Sequence, residues 1–264
     1  MTLGFDVESL LPKARGGGKL KMSLVKLSED EWLQPAPDLA ARSLAFEEYP
    51  QGIQLTRHAQ EPGQELASLM GLDGGLAEAA ASAHEDMCLL QRFEGQEFYR
   101  LIGAAVAWPS DWSVEEKLGL PLRALHANIA GYEQQLASGV DRFMETLRPG
   151  PIFGRCNWFI APTGERRWLA EGEPADQFRH VTQENAGEAL FVRSERQTLR
   201  RLPQSRAIVF TIGIYVQELG SLSSRNIMRL ADAVQDLSRG EGGRRGTPAY
   251  ASALIEFAKR TCVS

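Results

Sequence analysis

Between Glu188 and Tyr215 two strand-forming runs flank a turn that contains Pro203, the pattern of an antiparallel hairpin. In the second run Ile208, Phe210, Ile212 and Ile214 fall on one face, and Val209, Thr211, Gly213 and Tyr215 on the other. The first run has strand composition yet carries Arg193, Glu195, Arg196, Gln197, Arg200 and Arg201. Two readings fit such a run. Either it lies at an exposed edge, where charge discourages aggregation, or some of its charges point into a pocket. Arg200, Arg201 and Arg206, near the turn, read as solvated charges, whereas Glu195 and Arg196, in mid-strand, divide evenly between the two readings.

Upstream, Tyr99 to Trp108 reads as a central strand, apolar on both faces, and Met87 to Phe93 as its hairpin partner across Gly95. Gly103, Ala104, Ala105 and Ala107 are small. That favours close helix packing against the sheet, and it also suits a bulky ligand there. Ser113 is a good N-cap for a short helix that Gly119 ends. Tyr132 to Leu147 is an amphipathic helix with Leu136, Val140, Phe143, Met144 and Leu147 inward. Phe153 to Pro162 is a strand, Thr163 to Asn185 a polar connection, and helices follow at 223–237 and 248–260 around a loop at 240–246.

The N-terminal part predicts a loose arm containing Gly16, Gly17 and Gly18, a short strand over 19–27, a capping-box-like helix start at Ser28–Glu31, and helices over 38–49 and 61–70. The order is strand, strand, inserted helices, then three strands. It predicts an α+β fold: a PAS-like antiparallel sheet with inserted helices, plus N-terminal and C-terminal helical extensions. The expected division is an N-terminal cap at 1–75, the PAS-like domain at 76–220 and a helical extension at 221–264.

Composition narrows the function classes. A chain of 264 residues with 24% charged residues and net charge -5 is that of a globular protein with no general affinity for nucleic acid. No apolar run is long enough to span a bilayer, and the start lacks a signal-peptide pattern, which predicts a cytoplasmic protein with no membrane partner. Cys88, Cys156 and Cys262 form no disulfide framework, no zinc spacing and no covalent haem attachment motif.

The blocks Glu85–Leu90, Trp108-Pro-Ser-Asp-Trp112 with Glu116–Gly119, Leu125-His126 ending at Gly131-Tyr132, Arg155-Cys-Asn-Trp158, and Glu195–Pro203 stand in this order along the chain. Together with Lys21–Leu24 and Trp32, they resemble the α subunit of haem-dependent oxidative N-demethylase. The resemblance runs from about Lys19 to the last helix. It implies a haem-binding PAS fold that oxidises an N-methyl group of a small amine with dioxygen, using electrons from an external flavin and iron–sulfur reductase. It further implies that His126 is the axial ligand of non-covalent haem b, a role suited to neutral imidazole. Lys117 and Arg123 would pair with the haem propionates, or serve only as solvated helix charges. Arg196 would face dioxygen as it gains negative charge, and Glu195 would hold a protonated amine or relay protons. Neighbouring strand residues point to opposite faces, so Arg196 is the expected inward residue if one enters, with Arg155 and Trp158 as further distal candidates. In place of the family's usual prolines after its histidine stands Ala127-Asn-Ile-Ala130, and Gly213 stands where an arginine is common. Two other readings suit these residues: a non-enzymatic PAS protein that binds haem or a gas, and an interaction module without haem.

Overall fold

The computed structural model describes residues 3–11, 20–236, 243 and 245–261. The glycine run at 16–18, Cys262 and most of the loop expected over 240–246 lie outside the described residues. In chain order come α1 (Val7–Leu10), β1 (Val25–Leu27), α2 (Leu39–Glu48), β2 (Ile53–Leu55), α3 (Gln60–Leu69), α4 (Leu76–Ala81), β3 (Asp86–Gln91) and β4 (Arg100–Ala105). Then follow α5 (Val114–Lys117), α6 (Leu122–Leu125), α7 (Ser138–Thr146), β5 (Ile152–Ala161), α8 (Ala186–Ala189), β6 (Phe191–Arg201), β7 (Ile208–Glu218), α9 (Ser224–Asp236) and α10 (Thr247–Thr261). The fold is α+β.

The chain divides into two compact units. The first comprises Met1–Leu3, Leu20–Arg155 and Arg196–Ile214, and the second Gly4–Lys19, Cys156–Glu195 and Tyr215–Ser264. This cuts across the division expected at 75 and 220. Residues 20–75 do not stand apart, because β1 and β2 hydrogen-bond onto β5 and β4.

The first unit contains residues of all seven strands of an antiparallel sheet, ordered β1-β5-β6-β7-β3-β4-β2. Among the five strands from β3 onward, the spatial order is second, first, fifth, fourth, third. Three-residue strands occupy both ends, so little unpaired strand backbone is offered at the edges. The Pro203 turn closes with Leu202 N–H donating to the Ala207 carbonyl at 2.9 Å, and Arg206 takes the left-handed conformation within it.

A bulge sets the face of β4. Leu89 pairs with Gly103 and Leu90 with Leu101, leaving Ile102 as the extra residue. Leu101, Ala104 and Val106 thereby share one core with Leu122, Met144 and Leu147 of the inserted helical segment. Gly103 faces the other way. A Cβ there would stand 2.7 Å from the Ala59 Cβ, so its smallness serves close packing of the segment before α3.

The charged strand β6 is not an edge: β5 and β7 flank it. Arg200 and Arg201 are buried, not solvated. Strand alternation sends them to opposite faces. Arg201 donates to the Leu147 carbonyl at 2.6 Å, the Arg206 carbonyl at 2.7 Å and the Tyr99 hydroxyl at 2.6 Å. Arg200 pairs with Glu29 at 2.6 Å and lies over the Trp32 ring. Each buried guanidinium carries donors enough to fasten a loop whose carbonyls would otherwise be left without partners.

The helix expected from Ser28 does not form. Glu31 does bond back to Ser28 N and Oγ at 3.0 and 2.8 Å, but a turn results. A helix would need residue 35 to donate to the Glu31 carbonyl, and Pro35 has no N–H. Arg196 supplies the donors instead, to the carbonyls of Glu31 and Trp32.

The second unit is built on Trp158, Ile160, Leu190 and Val192, packed with α9 and α10. The C-terminal helices therefore share a core with strand residues and do not form a detached extension. Glu8 of α1 accepts from Ser223 N at 2.6 Å and Ser223 Oγ at 2.8 Å, capping the start of α9.

Candidate functional site

The inserted segment of the first unit carries the histidine that stands out chemically. Ser113 Oγ accepts from Glu116 N at 3.4 Å to start α5, and Gly119 turns the chain in the left-handed conformation toward α6. His126 caps the end of α6. Its Nδ1 lies 2.8 Å from the Leu122 carbonyl. A carbonyl only accepts, so Nδ1 carries the proton, and Nε2 of the neutral ring keeps its lone pair. Burial lowers the pKa of His126. The Leu122 bond opposes that shift, while the positive charges of Arg155 and Lys117 reinforce it. The ring is therefore a neutral donor near pH 7. Tyr132 lies parallel to it, with centroids 4.5 Å apart and planes 7° from parallel.

Part of the apolar core that the inserted segment forms with the sheet is incompletely covered. The stripe on the long helical segment is buried at Met144 and Leu147 but half-buried at Leu136, Val140 and Phe143. Phe153 on β5 and Phe210 on β7 are also half-buried, although both strands lie inside the sheet. Phe143 and Phe153 meet edge to face at 5.4 Å. These half-buried aromatic side chains leave some apolar area of the face exposed.

The expected site residues separate into three groups. His126, Arg155 and Lys117 all lie in the first unit, and the positive charges of the two cations help to lower the pKa of the imidazole. Arg123 is in the same segment but already engaged: it bridges Glu133 at 2.6 Å and Asp141 at 2.8 Å and lies over Phe98. Arg196 was expected to turn inward. It lies instead on the opposite face of β6 from Leu199 and Arg201, the two residues that meet the inserted helices, because its guanidinium is drawn to the carbonyls at 31 and 32. In the second unit, Glu195 is buried and accepts from Asn157 Nδ2 at 3.4 Å, and Trp158 is buried in that unit's core.

Sequence reasoning passed over a second polar cluster. Arg42, fully buried, donates to Asp86 at 2.6 Å, to the Glu85 carbonyl at 2.7 Å and to the Ala80 carbonyl at 3.0 Å. Asp86 also accepts from Ala107 N at 2.8 Å, tying β3 to the end of the hairpin. Glu85 Oε1 accepts from Gln34 N at 2.8 Å, whereas Oε2 is buried with no hydrogen-bond partner. Burial pushes the Glu85 carboxyl up to about 7, against the pull of the Gln34 N–H and the charges of Arg196 and Arg42. The available signal was two adjacent carboxylates at the head of an apolar strand.

The donor chemistry indicates what fits. Among the described residues, no group of three or more His, Cys, Asp or Glu could hold a metal ion. One neutral imidazole in the same unit as a half-buried aromatic face fits a metal that brings its remaining ligands in its own flat macrocycle. The fold is that of an α+β protein with a helical insert, and the insert carries one neutral imidazole. The sequence family described as haem-dependent oxidative N-demethylase, alpha subunit-like, matches residues 45–255, and the chain belongs to that family. Among the described residues, no helix is long and apolar enough to cross a membrane.

Proposed function

We propose that this protein is a haem-dependent oxygenase of the oxidative N-demethylase type, acting on a small amine-bearing substrate. The observation that carries the reading is the state of His126: Nδ1 donates to Leu122, burial keeps the ring neutral, and Nε2 is left as a donor. A ligating histidine is commonly oriented in this way, by a backbone carbonyl at its other nitrogen. The strand order, read as second, first, fifth, fourth, third, supports the PAS-like description. So does the placement of the helices between the second and third of those strands.

In this reading His126 holds non-covalent haem b through Nε2. Phe143, Phe153 and Phe210 cover its apolar faces, and Arg155 and Lys117 supply positive charge for its propionates. Haem, when bound, supplies the one-electron and dioxygen chemistry. An external flavin and iron–sulfur reductase provides the electrons. The residues of the chain bind, orient and exclude water. Arg196 takes no part in this scheme, since both of its terminal guanidinium nitrogens donate to loop carbonyls.

The test is haem loading. Protein produced with added iron and haem precursor should show a Soret band at one haem per chain, and His126→Ala should lose it. Full loading with an unchanged spectrum in that variant would overturn the assignment. Amine-dependent oxygen uptake with a surrogate reductase then distinguishes an oxygenase from a protein that only binds haem or a gas.

A further inference from the structure

The axial role of His126 leaves one structural question: what fixes the plane of its imidazole. The Leu122 bond holds Nδ1 along the ring plane at 2.8 Å, and a single in-plane bond leaves the ring free to tilt about that direction. We infer that Tyr132 is a positioning residue for His126, its ring acting as the second, perpendicular constraint; this rests on the reading of His126 as a haem ligand. The two rings are 7° from parallel with centroids 4.5 Å apart, within the distance at which aromatic pairs attract. Tyr132 is itself held: it is 4% exposed, and its N–H donates to the Ile129 carbonyl at 3.1 Å. Gly131 before it has φ +78°, and a Cβ there would approach Gln135 Nε2 to 2.5 Å. Glycine at 131 is thus what allows the chain to bring the phenol ring against the imidazole.

The hydroxyl has a different status from the ring. It is buried with no hydrogen-bond partner. A buried polar group without a partner is a cost, so its removal should not harm the protein. The ring is the working part, and phenylalanine should replace tyrosine with the stack intact.

The experiment compares Tyr132→Phe and Tyr132→Met, the latter filling similar space without a ring. In the haem-loaded ferrous protein, resonance Raman spectroscopy reads the iron–histidine stretch. Tyr132→Phe should match the parent protein. Tyr132→Met should still bind one haem per chain, with the band shifted and broadened. Its haem should be lost to a scavenger about tenfold faster, the lower end of the cost of disturbing a group that orients a ligand. In the haem-free protein, the His126 ring protons should carry an upfield ring-current shift that survives in Tyr132→Phe and vanishes in Tyr132→Met. An unchanged band and an unchanged ring-current shift in Tyr132→Met would overturn the positioning role. Haem retained with the same band in His126→Ala would instead overturn the parent reading. Should Tyr132→Met fail to fold, Tyr132→Leu takes its place, with the same result expected and the same result refuting.

Discussion

Replacing Glu85 by glutamine should change how stability depends on pH, by an amount the structure sets. The carboxyl is fully buried at the head of β3, one oxygen held by Gln34 N and the other without a partner. Burial raises it from its ordinary 4.5 to about 7. The folded protein therefore keeps a proton that the unfolded chain has released through this window. Stability from that proton is fully present below pH 4.5 and is lost as pH rises through 7. At about 1.4 kcal/mol per pH unit, the full swing is about 3 kcal/mol. Glutamine has no proton to lose. Urea denaturation of both proteins at a series of pH values isolates the effect, because the other carboxyls contribute alike to each curve. The stability difference between the wild type and Glu85→Gln should move by about 3 kcal/mol in favour of the glutamine protein between about pH 4 and pH 8. Parallel curves would refute the claim that burial holds the proton on Glu85 up to about pH 7.

Removal of Arg42 by Arg42→Met should cost roughly 3–5 kcal/mol in the same assay, since it leaves Asp86 buried and unpaired. Arg42→Met with Asp86→Leu should cost less than Arg42→Met alone, because the double replacement leaves no lone charge. Gly103→Ala should lose about 1–3 kcal/mol through contact with the Ala59 Cβ, measured by the urea midpoint. Arg196→Met should leave haem content unchanged yet speed amide exchange over residues 28–34, whose carbonyls at 31 and 32 it fastens. Unaltered exchange would show that the segment is held by other contacts.

The pattern around His126, a short apolar turn followed by an amphipathic helix, is local and legible, but by itself it suits a core or capping histidine; the resemblance of its block to the family is what singled it out as a candidate ligand. The β6–β7 hairpin was legible from its period of two and its proline turn. The helix at Ser28 misled because the capping residues are all present; the decisive fact is that Pro35 has no N–H where the Glu31 carbonyl needs one. The neutral state of His126 and its stack on Tyr132 were beyond reach, since burial and ring planes belong to no single segment.

The amino-acid order determined by itself the alternation of the strands and the caps and glycine turns, because each depends on residues within a turn or two of one another. What only the tertiary structure decided is which charges are buried and what they hold. Arg193, Arg196, Arg200 and Arg201 carry the same charge in sequence whether they face water or a carbonyl. Arg193 reaches the Glu165 carbonyl at 3.1 Å, and Arg196 reaches carbonyls more than a hundred residues away in the chain. Burial makes such groups costly unless their donors are met, and the loops that meet them are brought there only when the whole sheet has formed.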